Sequence, residues 1–518
     1  MPQAPELHPI GYTWLARQFG VDPVPHHVES FVAEPGRRIT ERTLGRVREI
    51  YPHHKHRLGT ALEHLDFALK REGLHLSLLR AVLPQIPAAA LVDFIRATPT
   101  GANGRRLWYL YEQFSGQTLS LPDLTAGNYI DLADPTLYFT GAPERLGRWR
   151  ISQNLLHTIH FSPMLRRTAA LSPAPDDGLH DRYQNVLHEL PPTVFQRALR
   201  YLYAKETRTS YAIEHETPTQ QRAEKFMALL ARAAIEDFLS EKALVHLQNA
   251  IVDPRYAASE WRTVQNYVGR TLAPGMEEIH LVPPKPDHIR PLMDDWLKLS
   301  ARLTSQSFLP PIASAAVVAW LFVYFHPFED GNGRIHRFLI HHVLARRKFG
   351  PDGVLLPVSA VLLNRPADYD ASLETFSRPL KERSEYELDD QARMTVLNET
   401  RDHFRYIDFT AIAEALYRFI EETIEKELPA ELRFLQHYDV ARAAMRDVVD
   451  MPEPAANLFL RLCLQNNGRL SKAKRKLDAF TKLTSDEINA LEETVRNAYS
   501  IGESATSLET GDTAADDD

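Results

Sequence analysis

Cysteine is all but missing from this 518-residue chain, where Cys463 stands alone. A single thiol excludes an intramolecular disulfide and suits a reducing compartment. An excess of basic residues is missing too. With a formal charge of −8 and a pI near 6.3, the chain offers no reason to expect a nucleic-acid or anionic-membrane surface. Long apolar runs are scarce. The most extended, Ile312 to Phe325, is broken only by Ser314 and Tyr324, and its 14 residues fall short of the roughly 20 that cross a bilayer. It predicts a helix buried on all sides, and no membrane partner is expected. The opening Met1-Pro-Gln-Ala-Pro-Glu-Leu-His-Pro9 has neither a basic start nor an apolar stretch, so no secretory signal is expected and cytoplasm is the expected location.

What remains is globular. The hydrophobic content of 44% supports real cores, and the length suits roughly three domains of the usual 100–200 residues. Breaks in pattern predict a mostly helical N-terminal region over 1–178, with helical stretches Leu62 to Leu83 and Pro87 to Thr98 and a mixed portion from Gln117 to Phe139. Ser172-Pro-Ala-Pro-Asp-Asp-Gly178 reads as a loop. A central segment, 179–385, precedes a helical C-terminal region, 386–502, with amphipathic patterns at Phe409 to Leu428 and Ala455 to Gln465. Residues 503–518 form an acidic tail expected to be disordered. Arg469-Leu-Ser-Lys-Ala-Lys-Arg-Lys476, the one basic cluster, reads as a solvated helix face.

The chemistry concentrates in His326-Pro-Phe-Glu-Asp-Gly-Asn-Gly-Arg-Ile-His-Arg337. Gly331, Asn332 and Gly333 suit a sharp turn presenting bare N–H groups, and a helix starting there adds its positive end to favour an anion. Arg334 and Arg337 lie three apart on that helix, so both can grip neighbouring phosphates. His326 stands just outside it, able to act as a base near neutral pH. Glu329 reads as a solvated neighbour. His336, His341 and His342 lack the His-Glu-x-x-His spacing of a zinc helix and read as ordinary helix residues. A second turn of similar letters, Gly101-Ala-Asn-Gly-Arg-Arg106, has no upstream histidine or acid. It reads as a loop before a core helix.

The segment resembles, at every specified position, the signature of the Fic family, His-x-Phe-x-Asp/Glu-Gly-Asn-Gly-Arg-x-x-Arg. The resemblance covers roughly Thr209 to Pro379 and implies a mainly α fold: a Fic-type helical core with a small β-hairpin flap, flanked by mostly helical N- and C-terminal regions. It also implies nucleotidyl transfer, AMP passing from ATP to a Ser, Thr or Tyr hydroxyl of a target protein, with self-modification as one outcome. Gly333 and Arg337 favour this over the family's phosphotransferase branch. In that reading His326 is the base, Asp330 holds Mg²⁺, and the backbone of Gly331 to Gly333 forms an anion hole to which Asn332 lends its side-chain amide. Arg334 and Arg337 meet the β- and γ-phosphates, and Phe328 pins the loop to the core.

Two further segments fit the family order. Trp261 to Gly269 and Glu278 to Pro284 read as the strands of the flap, which brings Val268 and Gly269 to the nucleotide. Ser210-Tyr-Ala-Ile-Glu-His215, within an inhibitory helix expected at about 205–216, resembles the family's Ser/Thr-x-x-x-Glu-Gly/Asn segment in the arrangement that precedes the core. Ser210 and Glu214 share a helical face, and a guanidinium of Arg337 forked onto Glu214 cannot also bind the γ-phosphate. His215 departs from the usual Gly or Asn and so from the close approach those allow. Tyr369-Asp370 stands where many relatives carry two tyrosines, with Tyr369 expected near the base. Two other readings remain open: a hydrolase removing AMP with Glu214 positioning water, and a non-catalytic helical regulator.

Overall fold

The computed structural model describes residues 6–34, 38–43, 45–52, 58–172, 176–188, 192–273, 275–351 and 353–501. The acidic tail, 503–518, lies outside the described residues. Two compact units emerge, one from residues 1–184 and 203–423, the other from 185–202 and 424–518.

The N-terminal part of the first unit is less purely helical than its pattern predicts. A four-stranded sheet in the order β1-β2-β4-β3 is built from β1 (His8–Ile10), β2 (Val28–Ala33), β3 (Ile39–Thr43) and β4 (Arg46–Pro52), with β2 and β4 parallel. Short β-prone runs such as Phe31-Val-Ala33 and Glu49-Ile-Tyr51 supply it. Helices α1 (Gly11–Phe19), α2 (Ala61–Arg71), α3 (Leu76–Val82), α4 (Ala88–Ala97) and α5 (Ala102–Ser115) pack around Leu15, Leu79, Leu107 and Trp108. Helix α2 starts at a capping box in which Thr60 and Glu63 satisfy each other's backbone N–H. The mixed portion continues into a three-stranded sheet of β5 (Ile130–Asp131), β6 (Glu144–Leu146) and β7 (Ile151–Gln153). Helix α6 (Asp176–His188) already begins within the segment expected to be a loop, because Asp176 is buried where it accepts from Tyr417 and from the N–H of Ile312.

The helical core follows. It contains the part of α7 (Pro192–Ile213) from Tyr203 on, α8 (Gln220–Arg232) and α9 (Glu241–Ile251), then the hairpin of β8 (Val268–Ala273) and β9 (Met276–Leu281). Next come α10 (Pro286–Ser305), α11 (Pro311–Phe325), α12 (Asn332–Arg346), α13 (Val358–Asn364) and α14 (Pro366–Lys381). Helix α11 is the pillar: Ile312 through Phe325 are all buried. With no polar face, it must be enclosed, and α10, α12 and α15 (Thr410–Glu422) enclose it. The Trp296 indole N–H of α10 donates to Val318 O at 3.0 Å. Among the described residues no single helix is long and apolar enough to cross a membrane.

The break expected at 385/386 is displaced to 423/424. The reason is a backbone seam: Ser162 N–H donates to Arg405 O (3.0 Å), Met164 N–H to Ile407 O (2.8 Å) and Phe409 N–H to Met164 O (2.8 Å). That seam, with the hairpin of β10 (Tyr386–Leu388) and β11 (Met394–Val396) and α15, belongs to the first unit. In the second, α16 (Leu428–Val448), α17 (Glu453–Leu464) and α18 (Ser485–Ala498) bury Met445, Phe459, Leu460, Cys463 and Leu491. The basic cluster lies on the connection between α17 and α18, with only Lys474–Lys476 in a single 3-10 turn, and Arg475 there pairs with Glu492 at 2.8 Å.

Candidate active site

Pro327 cannot donate to a continuing helix, so α11 stops at His326, which adopts a left-handed conformation (φ 48°, ψ 57°) while its N–H still caps Phe322 O at 3.0 Å. The ring Nδ1 lies 3.1 Å from Val323 O. A carbonyl can only accept, so Nδ1 carries the proton and Nε2 keeps its lone pair. Burial pushes the ring's pKa down to about 4, reinforced by the Arg262 guanidinium and opposed by the Val323 bond, Glu214 and Asp330. At neutral pH the imidazole is an uncharged base.

The loop that follows is braced from inside. Phe328 is buried, its ring 5.1 Å from Trp261 and 6.3 Å from Phe322. Asn332 closes the turn with its own side chain: Oδ1 accepts from Phe328 N–H at 3.0 Å and Nδ2 donates to Phe328 O at 2.7 Å. One of the two amide N–H groups and the carbonyl oxygen are thus engaged in shaping the cradle. Gly331 (φ 91°) makes the left-handed turn into α12, and a Cβ there would meet Val252 at 2.8 Å. Gly333 lies directly under Glu214: a Cβ on it would sit 2.1 Å from Oε1. The carboxylate thus occupies the space over the N-terminus of α12 that an anion would take.

Both motif arginines are buried, each at 1% exposure, and both face acids. Arg337 Nη2 donates to Glu214 Oε1 and to Ser210 O, each at 2.7 Å, and Nε to Ser210 Oγ at 2.9 Å. Burial alone would raise the Glu214 pKa, but Arg337, with Arg334 and His326, outweighs it and holds the carboxyl below its usual range. Arg334 donates to Asp330 Oδ1 (2.6 Å), to Ile251 O (3.2 Å) and to Glu216 Oε2 (3.0 Å), and its guanidinium lies 5.2 Å from the Tyr211 ring centroid.

His215 takes the left-handed region (φ 55°) as the chain leaves α7, and Glu216 N–H returns to Tyr211 O at 3.1 Å. The preference for Gly or Asn at this position follows from that conformation, which both tolerate. Histidine adopts it here without lifting Glu214 away, so the substitution does not prevent the close approach.

Asp330 is the carboxylate a divalent cation would find. Its Oδ1 is engaged by Arg334 and by Gly331 N–H, and among the described residues no group of three His, Cys, Asp or Glu could hold a metal on its own. One carboxylate completed by phosphate oxygens and water fits Mg²⁺, which seldom uses an all-protein cage.

The hairpin is present, but its first strand starts late. Trp261 to Tyr267 form an irregular strap, since Arg262 and Asn266 turn their donors onto the His326 to Phe328 backbone, and β8 begins at Val268. Gly269 sits at a register shift, where a Cβ would be 2.4 Å from Glu278 O. Val268, His280 and Leu281 of the hairpin, Val323 and Tyr324 of α11, and Asp370 and Leu373 of α14 line a cavity of about 180 Å³. Tyr369 does not face it. It is buried at 6% exposure, near-parallel to the His336 ring at 6.1 Å and beside Arg337, with its pKa pushed up to about 12 by burial. The ring lies against Trp320, His336 and Arg337, away from the cavity toward which it was expected to point.

His336 bonds Ala319 O, His342 bonds Ala233 O, and His341 pairs with buried Glu206 at 2.8 Å, as ordinary helix residues do. Sequence reasoning missed Arg262, Asn266, Glu216 and Gln248, whose Nε2 donates to Asp330 O at 3.2 Å. Only Glu216, two residues beyond Glu214, carried a local signal.

Residues 238–344 match the family model described as Fic/DOC family. The chain carries a Fic domain. Similar proteins include Protein adenylyltransferase fic-1 of Caenorhabditis elegans, 36% identical over 143 residues, or 27% of this chain and 23% of that protein. Protein adenylyltransferase Fic of Nematostella vectensis is 42% identical over 73 residues, 14% of this chain and 16% of that one. The alignments therefore span a quarter or less of these relatives' length. Among solved structures, a Fic family protein from Desulfovibrio desulfuricans G20 gives a TM-score of 0.36 at 17% identity, covering 66% of this chain and 87% of that one. Fic-1 from C. elegans gives 0.33 at 18%, covering 73% and 93%.

Proposed function

We propose that this chain is a protein adenylyltransferase that moves AMP from ATP to a hydroxyl of a target protein and is held off by its own helix α7. The observation that carries the reading is the pair of buried arginines at the start of α12, both neutralised by carboxylates, beside an imidazole whose Nε2 is free to take a proton. Acids standing on arginines at a helix N-terminus mark the place of an anion they can yield to. With a triphosphate there, the acceptor oxygen attacks the α-phosphorus, its proton passes to His326 Nε2, and the bond to pyrophosphate breaks. Arg334 and Arg337 take the charge gathering on the leaving phosphates, and the N–H groups of Asn332 and Gly333 at the start of α12 receive non-bridging oxygens, while that of Gly331 holds Asp330. Asp330 would hold Mg²⁺, which when bound neutralises phosphate charge. The exposed edge of β8 offers backbone groups to an extended target segment.

Purified full-length protein incubated with ATP labelled at the α-phosphate tests this. Glu214→Gly is expected to raise labelling about tenfold or more, the value of a charge-assisted contact. His326→Ala in that background should lower it about a thousandfold with unchanged circular dichroism. No labelling in Glu214→Gly, or an active His326→Ala, ends the proposal. Release of AMP from a modified protein instead of its addition would favour the hydrolase.

A further inference from the structure

Arg262 is buried at 5% exposure and spends its guanidinium on backbone alone. Nε donates to His326 O (2.8 Å), Nη1 to Val264 O (2.8 Å) and Nη2 to Pro284 O (2.6 Å), while its own N–H donates to Pro327 O (2.8 Å). Val264 lies just before β8 and Pro284 just after β9, so one side chain spans both roots of the hairpin. Its third contact is the carbonyl of His326, whose left-handed backbone is strained for a residue with a Cβ and persists only where neighbours fix it. Among the described residues no carboxylate neutralises the guanidinium, and burial pulls its pKa down to about 9, leaving it charged at neutral pH. Asn266 doubles the tie through Phe328 O at 2.9 Å.

We propose that Arg262 is a positioning residue that locks the flap hairpin to His326, so that the element aligning the acceptor and the base receiving its proton keep one relative placement. This rests on the reading of His326 as base. In the Glu214→Gly background, Arg262→Met should lower kcat about a hundredfold with KM for ATP within about threefold, the mark of lost alignment rather than lost binding. Arg262→Lys keeps a charge and donors and should recover about tenfold of that loss. Ring NMR of His326 gives a readout without turnover, with its resonances expected to shift and split in Arg262→Met. An unchanged kcat, a KM rise that accounts for the loss, or Lys no better than Met would overturn the proposal. If the background transfers nothing, the reading of the base fails, and an unmoved His326 resonance in Arg262→Met would overturn the coupling separately.

A second inference stands on Glu216. Its Oε2 meets Arg334 at 3.0 Å and Arg222 at 3.1 Å, and the turn at His215 aims it there. We infer that Glu216 is a second inhibitory carboxylate, keeping Arg334 on acids while Glu214 keeps Arg337. In the Glu214→Gly background, Glu216→Ala should tighten Mg·ATP binding by calorimetry about fivefold, the modest value of a partly exposed pair. Equal or weaker binding would reduce Glu216 to a helix-end brace.

Discussion

Helices α5 and α12 open with nearly the same letters and do opposite things with their arginines. At α5, Arg105 is as buried as its counterparts, at 2% exposure, and donates to Asn128 O at 3.0 Å and Arg150 O at 2.8 Å, while Arg106 donates to Asp131 O and to Asn103. Carbonyl acceptors are neutral and fixed, so nothing there is exchangeable. At α12 each arginine has, beside the carbonyls of Ile251 and Ser210 and the carboxylate of Asp330, one acceptor carboxylate on the chain leaving α7, Glu216 for Arg334 and Glu214 for Arg337, which a phosphate can replace charge for charge. The electrostatics diverge accordingly. Burial lowers the Arg105 pKa, whereas at Arg337 burial is outweighed by Glu214 and Tyr369 and the pKa rises. On the proposed reading, the kind of acceptor that satisfies a buried arginine separates a brace from a binding group.

The same substitution in both helices is the strongest way to break this contrast. In the Glu214→Gly background, Arg337→Ala should cut labelling about a hundredfold, as loss of a donor to developing charge does. Arg105→Ala should leave the rate within about twofold yet cost roughly 3 kcal/mol in urea unfolding, because several charge-assisted bonds vanish from a buried site. Parallel losses of rate, with stability untouched at Arg105, would mean that the acceptor rule does not distinguish the two helices.

The contrast also locates what could be read in the letters. The all-apolar run predicted α11 to within a residue, since a helix without a polar face has one fate. Ser210 and Glu214 do meet one arginine, but the helix expected to run to about 216 ends at Ile213, and the turn bonded from Glu214 N–H to Tyr211 O delivers the carboxylate. Tertiary partners escaped. That Asn332 ties its own loop through the Phe328 backbone had no signal in the letters. Tyr369 turned inward because His336 and Trp320 lie behind it. The N-terminal strands were overlooked because β2 and β4 pair in parallel across an intervening strand, a non-local match that no local period reveals.

Acid offers a finer discrimination. At α5 the carbonyl acceptors of Arg105 do not titrate near neutrality, so acid has no direct hold on them. At α12 the acceptor Glu214 does titrate, but its folded pKa lies below the usual 4.5. Its contribution is therefore complete above that value and is lost only as pH falls through the lowered one. For His326, with a folded pKa of about 4 against 6.5 when free, the unfolded chain binds more protons between those values. Stability then falls as pH drops from 6.5 toward 4, while in the folded protein the ring stays neutral. Glu214 and Asp330 oppose that neutral state and Arg262 supports it. Ring NMR of the nucleotide-free protein should consequently show no His326 titration between about pH 5.5 and 8, and the labelling ratio of Glu214→Gly to the natural chain should stay flat over the same span. A midpoint near the free-histidine value would mean the ring is solvated, and a ratio that collapses toward mild acid would mean that the Glu214 pair is far weaker than its buried arginine implies.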